Sequence, residues 1–173
     1  MRIYLPATPA DVAMSVLSGR VVHAATEALA REVNDEDRDY LEAIAFNAAA
    51  DDSLCAVSAM FAGKADPQFG VVLPERGGLR PRRVVIAAEV APEKCRDLAN
   101  PEEYLPTALE LSDELSWAEV VSIHVDGPEM EPYVLAGPDD EAAFKVLAEE
   151  DLLWYDVSER LDLALELGAA ASV

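Results

Sequence analysis

The sequence predicts a single α+β domain over residues 1–173, a mixed β-sheet packed against one long helix and several shorter helices. Three stretches carry that prediction. Residues 82–90 (Arg-Arg-Val-Val-Ile-Ala-Ala-Glu-Val) form a continuous apolar run with charged ends, the pattern of a strand covered on both faces. Residues 35–61 contain no Gly or Pro, open with acids, and space Leu41, Ile44, Ala45, Ala48, Cys55 and Ala59 as one helical face; Asp51 and Asp52 mark the place for a bend. In residues 120–126, Val121, Ile123 and Val125 alternate with Ser122, His124 and Asp126, which reads as a strand with an apolar core face and a polar outer face. A chain of 173 residues is long enough to bury roughly 70% of its unfolded surface in one core.

The remaining elements follow in order. Residues 1–5 alternate as a short strand that Pro6 ends, so that it pairs only through its first part. Thr8 caps a helix with Pro9 in its first turn and Asp11 on its dipole; Val12, Val16 and Leu17 form its stripe and Gly19 stops it. Residues 20–25 read as a second strand, with a helix start at Thr26 and Glu27 as the competing reading. Residues 63–81 are a loop far longer than the usual four to six or so, holding an apolar run at 69–73 that suits an edge strand. Residues 92–98 suit a helical turn, and 105–111 a strand with Leu109 and Leu111 inward. Residues 137–140 start a helix that packs Phe144, Leu147 and Ala148, residues 152–155 are apolar and aromatic, and 158–167 form a last helix.

Charge bounds the function. Thirty-four acids against thirteen Lys and Arg give −21, which repels nucleic-acid phosphates and anionic membranes. Residues 97–173 hold 20 acids with only Lys145 and Arg160, so this half carries −18 of the total. Such a surface suits solubility or a basic protein partner. Cys55 and Cys95 show neither metal nor redox spacing and read as free thiols in a reducing cytoplasm. No window reaches the roughly 18 apolar residues of a membrane span.

Four arginines, Arg76, Arg80, Arg82 and Arg83, crowd the approach to the central strand around Gly77 and Gly78. Guanidinium forks beside glycine amides suit a small anionic, phosphorylated or nucleotide ligand, although the spacing is neither that of a P-loop nor of a dinucleotide fingerprint. Neutralisation of the protein's own acids is the plainer reading. Ser122, His124 and Asp126 share one strand face, but alternate residues there stand about 6.5–7 Å apart, too far for the bonds of a catalytic triad. His124 with Asp126 is retained as a ligand-holding pair. His23, His124 and the scattered acids show no metal-site spacing. Trp117, Trp154 and Tyr155 read as packing residues.

Residues 1–8 (Met-Arg-Ile-Tyr-Leu-Pro-Ala-Thr), 82–90, 119–126 and 152–155 together resemble a family of uncharacterised actinobacterial proteins, across nearly the whole chain. The resemblance implies no activity, cofactor or catalytic residue; the 63–81 segment departs from it. A fainter likeness to ADP-ribosyltransferase-type folds would put Tyr4 on the early strand and Glu110 before the late strand, where those enzymes carry a His or Arg and a glutamate; Leu5 and Pro6 follow Tyr4 without either basic residue. The combined expectation is a cytoplasmic binding or regulatory domain, with an enzyme or sensor for a phosphorylated or nucleotide ligand as the alternative. Its expected partners are a small anionic ligand, a basic protein or a second copy.

Overall fold

The computed structural model describes residues 1–62 and 78–169. Its centre is a seven-stranded sheet in the order β4-β5-β2-β1-β3-β6-β7. The strands are β1 (Arg2–Ala7), β2 (Val21–His23), β3 (Val84–Glu89), β4 (Cys95–Arg96), β5 (Ala108–Leu111), β6 (Val120–Val125) and β7 (Leu153–Tyr155). The α+β class is as expected, while the sheet is antiparallel at every pairing rather than mixed. The central run does sit between the N-terminal strand and residues 120–125, and all of Val84 to Ala88 is buried.

Two layers cover the sheet. On one face Ile3, Leu5, Val84, Ile86, Ile123 and Val125 meet Val12, Leu17, Leu115, Leu163 and Leu167 from α1 (Pro9–Val12), α6 (Arg160–Glu166) and their neighbouring loops. On the other, Tyr4, Val85 and Ala87 meet Ala45, Ala49 and Ala50 of α3 (Arg38–Ala62). Alanines without long side chains let this helix lie close to the strands, and Leu54 and Val57 extend its packing to Met130, Val134 and Leu147. The last two belong to α4 (Glu131–Ala136) and α5 (Glu141–Glu149).

Several local expectations change for physical reasons. Pro6 does not end β1. Met1 and Val90 exchange backbone bonds, so the antiparallel alternation turns residues 3, 5 and 7 toward β3 and leaves the nitrogen of Pro6 on the other side, where β2 pairs only at Tyr4–His23. The missing donor therefore costs no rung. α1 stops after four residues although Thr8 and Asp11 form a capping box. Residues 20–26 satisfy both competing readings, since β2 is followed by Thr26 as the cap of α2 (Glu27–Val33). α3 runs unbroken through Asp51 and Asp52, and Cys55 faces solvent. Ala148 is likewise exposed, and Ala143 with Leu147 forms the buried side of α5. The 69–73 run lies outside the described residues.

β6 carries a bulge. Ala87 pairs with Ser122 but Ala88 pairs with Val120, so two strand residues answer one step of β3. Val120 takes the core position and Val121 is turned out, 40% exposed. The face of Ser122, His124 and Asp126 is not a solvated outer face: Ser122 is 4% exposed and Asp126 0%, because α3 and its neighbours cover it.

Candidate functional site

The arginine lead-in is tied down by the chain's own carboxylates. Arg80 donates from Nε to Glu131 at 2.8 Å, and Arg82 donates from Nε to the same Glu131 at 3.1 Å and from Nη1 to Glu166 at 2.8 Å. Glu131 is buried at the start of α4, and the bonds from Arg80, then Arg82, hold its carboxyl below the usual range against the opposing effect of burial. Arg83 continues the pattern one rung beyond the Val84–Val125 pair. Its backbone N–H and Nε each donate to Asp126 Oδ2 at 2.9 Å and its Nη2 donates to Oδ1 at 2.8 Å. The side chains are 3% and 0% exposed, a fully buried bidentate pair. Arg76 lies outside the described residues.

Buried as it is, Arg83 also borders a cavity. It lines a cavity of about 230 Å³ between α3, α5 and the approach to β7, together with Phe46, Asn47, Asp51, Phe144, Leu147 and Leu152. Among the described residues its Nη1 has no acceptor, although the side chain is 3% exposed. An unmade donor on a buried guanidinium is costly, so a group that fills the cavity and accepts from it gains more than a surface bond would. Asp51 stands at the rim. Loss of solvent pushes its carboxyl pKa up, with Arg83 pulling it down and Asp52 pushing it further up. Glu150 and Asp151 are exposed at the mouth.

His124 lies on the same face of the sheet, against Phe46 with ring centroids 4.9 Å apart, and Phe46 in turn meets Tyr4 edge-on at 5.6 Å. Its Nε2 is 2.9 Å from Ser122 Oγ. The expectation that these side chains stand too far apart is thus corrected. About 6.5–7 Å separates alternate backbone positions, yet a serine and an imidazole leaning toward each other span that gap. No triad results, because Asp126 is taken by Arg83 rather than by His124. Burial, then the charge of Arg2, lowers the His124 pKa to about 4. Protonating such an imidazole at pH 7 already costs about 4 kcal/mol, so it is a poor base for a serine hydroxyl, and Ser122 is shut from solvent. The dyad is a buried structural contact.

His23 is enclosed, 2% exposed, with Nδ1 2.7 Å from Thr107 Oγ1 and Nε2 2.6 Å from Asp52 Oδ2. Among the described residues no group of three or more His, Cys, Asp or Glu is placed to hold a metal ion, and no helix is long and apolar enough to cross a membrane. The residues missed from sequence are Phe46, Asn47, Asp51 and Phe144. A signal for one of them existed: adjacent acids in an alanine-rich helix need partners on both sides, and Asp51 interacts with Arg83 while Asp52 meets His23.

An antiparallel sheet covered on one face by an alanine-faced helix, with a small cavity lined by a buried arginine, defines an α+β protein. The chain belongs to DUF6912, a family of unknown function, which it matches over residues 1–164. No curated protein and no solved structure matches it.

Proposed function

We propose that the chain acts as a single cytoplasmic, non-catalytic binding domain for a small ligand, and that the ligand occupies the cavity lined by Arg83. The observation that carries this reading is the buried Arg83 guanidinium, which borders the cavity with Nη1 free of any acceptor among the described residues. Phe46 and Phe144 supply apolar walls suited to a flat ring, and Arg83 supplies one donor. The charge of Arg83 is already balanced by Asp126, while Asp51, Glu150 and Asp151 surround the opening. A neutral or cationic ring bearing an acceptor therefore suits the site better than the anion that the arginine lead-in suggested. The burial of Ser122 beside His124 favours binding over turnover at that pair.

The test is a ligand-observed NMR and thermal-shift comparison of nicotinamide, 2-aminopyridine and benzoate. The first two should bind and raise the melting temperature, and Phe144→Ala and Asp51→Asn should weaken them at least fivefold. Equal or stronger binding of benzoate, or binding indifferent to both substitutions, would overturn the reading.

A further inference from the structure

The two edges of the sheet differ. At one end β4 is two residues long, and Arg96 closes on Glu110 of β5 with bonds of 2.9 and 3.1 Å. A short, charged edge is how proteins discourage further strands. At the other end β7 pairs with β6 through Ile123–Tyr155, His124–Trp154 and Val125–Leu153, and among the described residues nothing pairs with its outer side. It carries no lysine, proline or bulge. Leu153 is 48% exposed and Trp154 61%. Trp154 is therefore no core residue, contrary to the packing role expected of it.

The strand also has a charged approach. Glu149, Glu150 and Asp151 lie just before it, separated from it by Leu152, all exposed, and no hydrogen bond or ion pair among the described residues engages their carboxylates. Glu149 ends α5, whose last turn has no base. Acids at a helix C-terminus face its own carbonyls and disfavour the helix. Asp156 and Glu159, beyond the strand, spend their carboxylates on capping instead. The free negative charge is therefore concentrated at one end of an unprotected apolar edge.

We propose that the outer side of β7 receives an extended, lysine- or arginine-rich segment of a partner protein as an eighth strand, with an apolar side chain against Trp154 and its bases beside Glu149, Glu150 and Asp151. Backbone bonds to the edge provide the register and the acids select the charge. A second copy fits poorly, since antiparallel pairing of β7 with itself brings the 149–151 acids of one copy toward Asp156 and Glu159 of the other, between chains that each carry −21.

The experiment uses the full chain and three twelve-residue peptides alternating Val or Thr with Lys, with Glu, or with Lys on an N-methylated backbone. Fluorescence anisotropy should show the Lys peptide binding at least tenfold more tightly than the other two, with hydrogen-exchange protection centred on residues 153–155. Binding should weaken at least fivefold between 50 and 300 mM salt, and at least fivefold in Trp154→Ala and in the Glu149→Gln, Glu150→Gln, Asp151→Asn triple variant. These positions are on the surface, so the variants remain folded, which a thermal melt confirms. Equal binding of the N-methylated peptide would overturn the strand addition, equal binding of the Glu peptide would overturn the charge selection, and a dimer with protected β7 in sedimentation would assign the edge to a second copy.

Discussion

Removing Asp126 is the most severe single change that the site admits. Its carboxylate accepts three bonds, from the backbone N–H, Nε and Nη2 of Arg83, and both side chains are sealed from water. Asp126→Ala leaves the guanidinium buried without its counter-charge, which costs about 3–5 kcal/mol. For a chain of this size that is roughly a 6–20 °C fall in melting temperature. The double variant Arg83→Met, Asp126→Leu behaves differently: the buried charges vanish together, and what remains lost is the acceptor for the Arg83 backbone N–H, about 1–3 kcal/mol. Urea unfolding followed by circular dichroism measures both, and the double variant should be the more stable of the two. A loss below 1 kcal/mol or so in Asp126→Ala would refute the buried pair, as would a double variant as unstable as the single losses added together.

Three further outcomes follow from the same packing. Ser53 Oγ accepts the Val84 N–H at 2.8 Å and donates to the Ala7 carbonyl at 2.7 Å at the end of the β1–β3 ladder, so Ser53→Ala should cost about 1–3 kcal/mol in urea unfolding while Ser53→Thr costs less. His124, neutral in the fold with a pKa of about 4 against roughly 6.5 unfolded, contributes stability that is complete above pH 6.5 and is lost as pH falls toward 4; allowing for its partial exposure the loss is about 1–3 kcal/mol, and His124→Phe should flatten the stability profile between pH 7 and 5. Gly168 has φ +74°, and an added Cβ would run into the Gly78 carbonyl, so Gly168→Ala should destabilise by about 1–3 kcal/mol in the same assay, with no rescue by Asn.

The centre of the fold was legible because it rests on local composition. An apolar run between charges has to be covered on both sides, and an alanine face on a long helix is a natural cover for it. Pro6 misled because its effect depends on which side of β1 the neighbour lies, which no local pattern records. Val121 misled similarly, since a bulge shifts the alternation by one position and only the pairing with Ala87 and Ala88 reveals it. The site was half visible. The arginines stood out by charge, but what separates Arg83 from Arg80 and Arg82 is an acid 43 positions away and a cavity wall supplied by α3 and α5. Ser122 and His124 were dismissed on backbone spacing, although side-chain direction decides whether such a pair meets.

The placement of β1 beside β3 has a kinetic consequence. Arg2 and Glu89, which meet across that pair, are 87 positions apart, with the whole of α3 between them. The neighbouring β3–β6 rungs also join residues far apart in sequence, from Ala88–Val120 to Val84–Val125, and chains dominated by such non-local pairings fold in milliseconds to seconds rather than microseconds. The helix can organise earlier, from contacts within itself, and wait for the strands to arrive. During that interval the apolar stretches 3–7 and 84–88 lack each other, so the nascent chain is most vulnerable to self-association before its two central strands find one another.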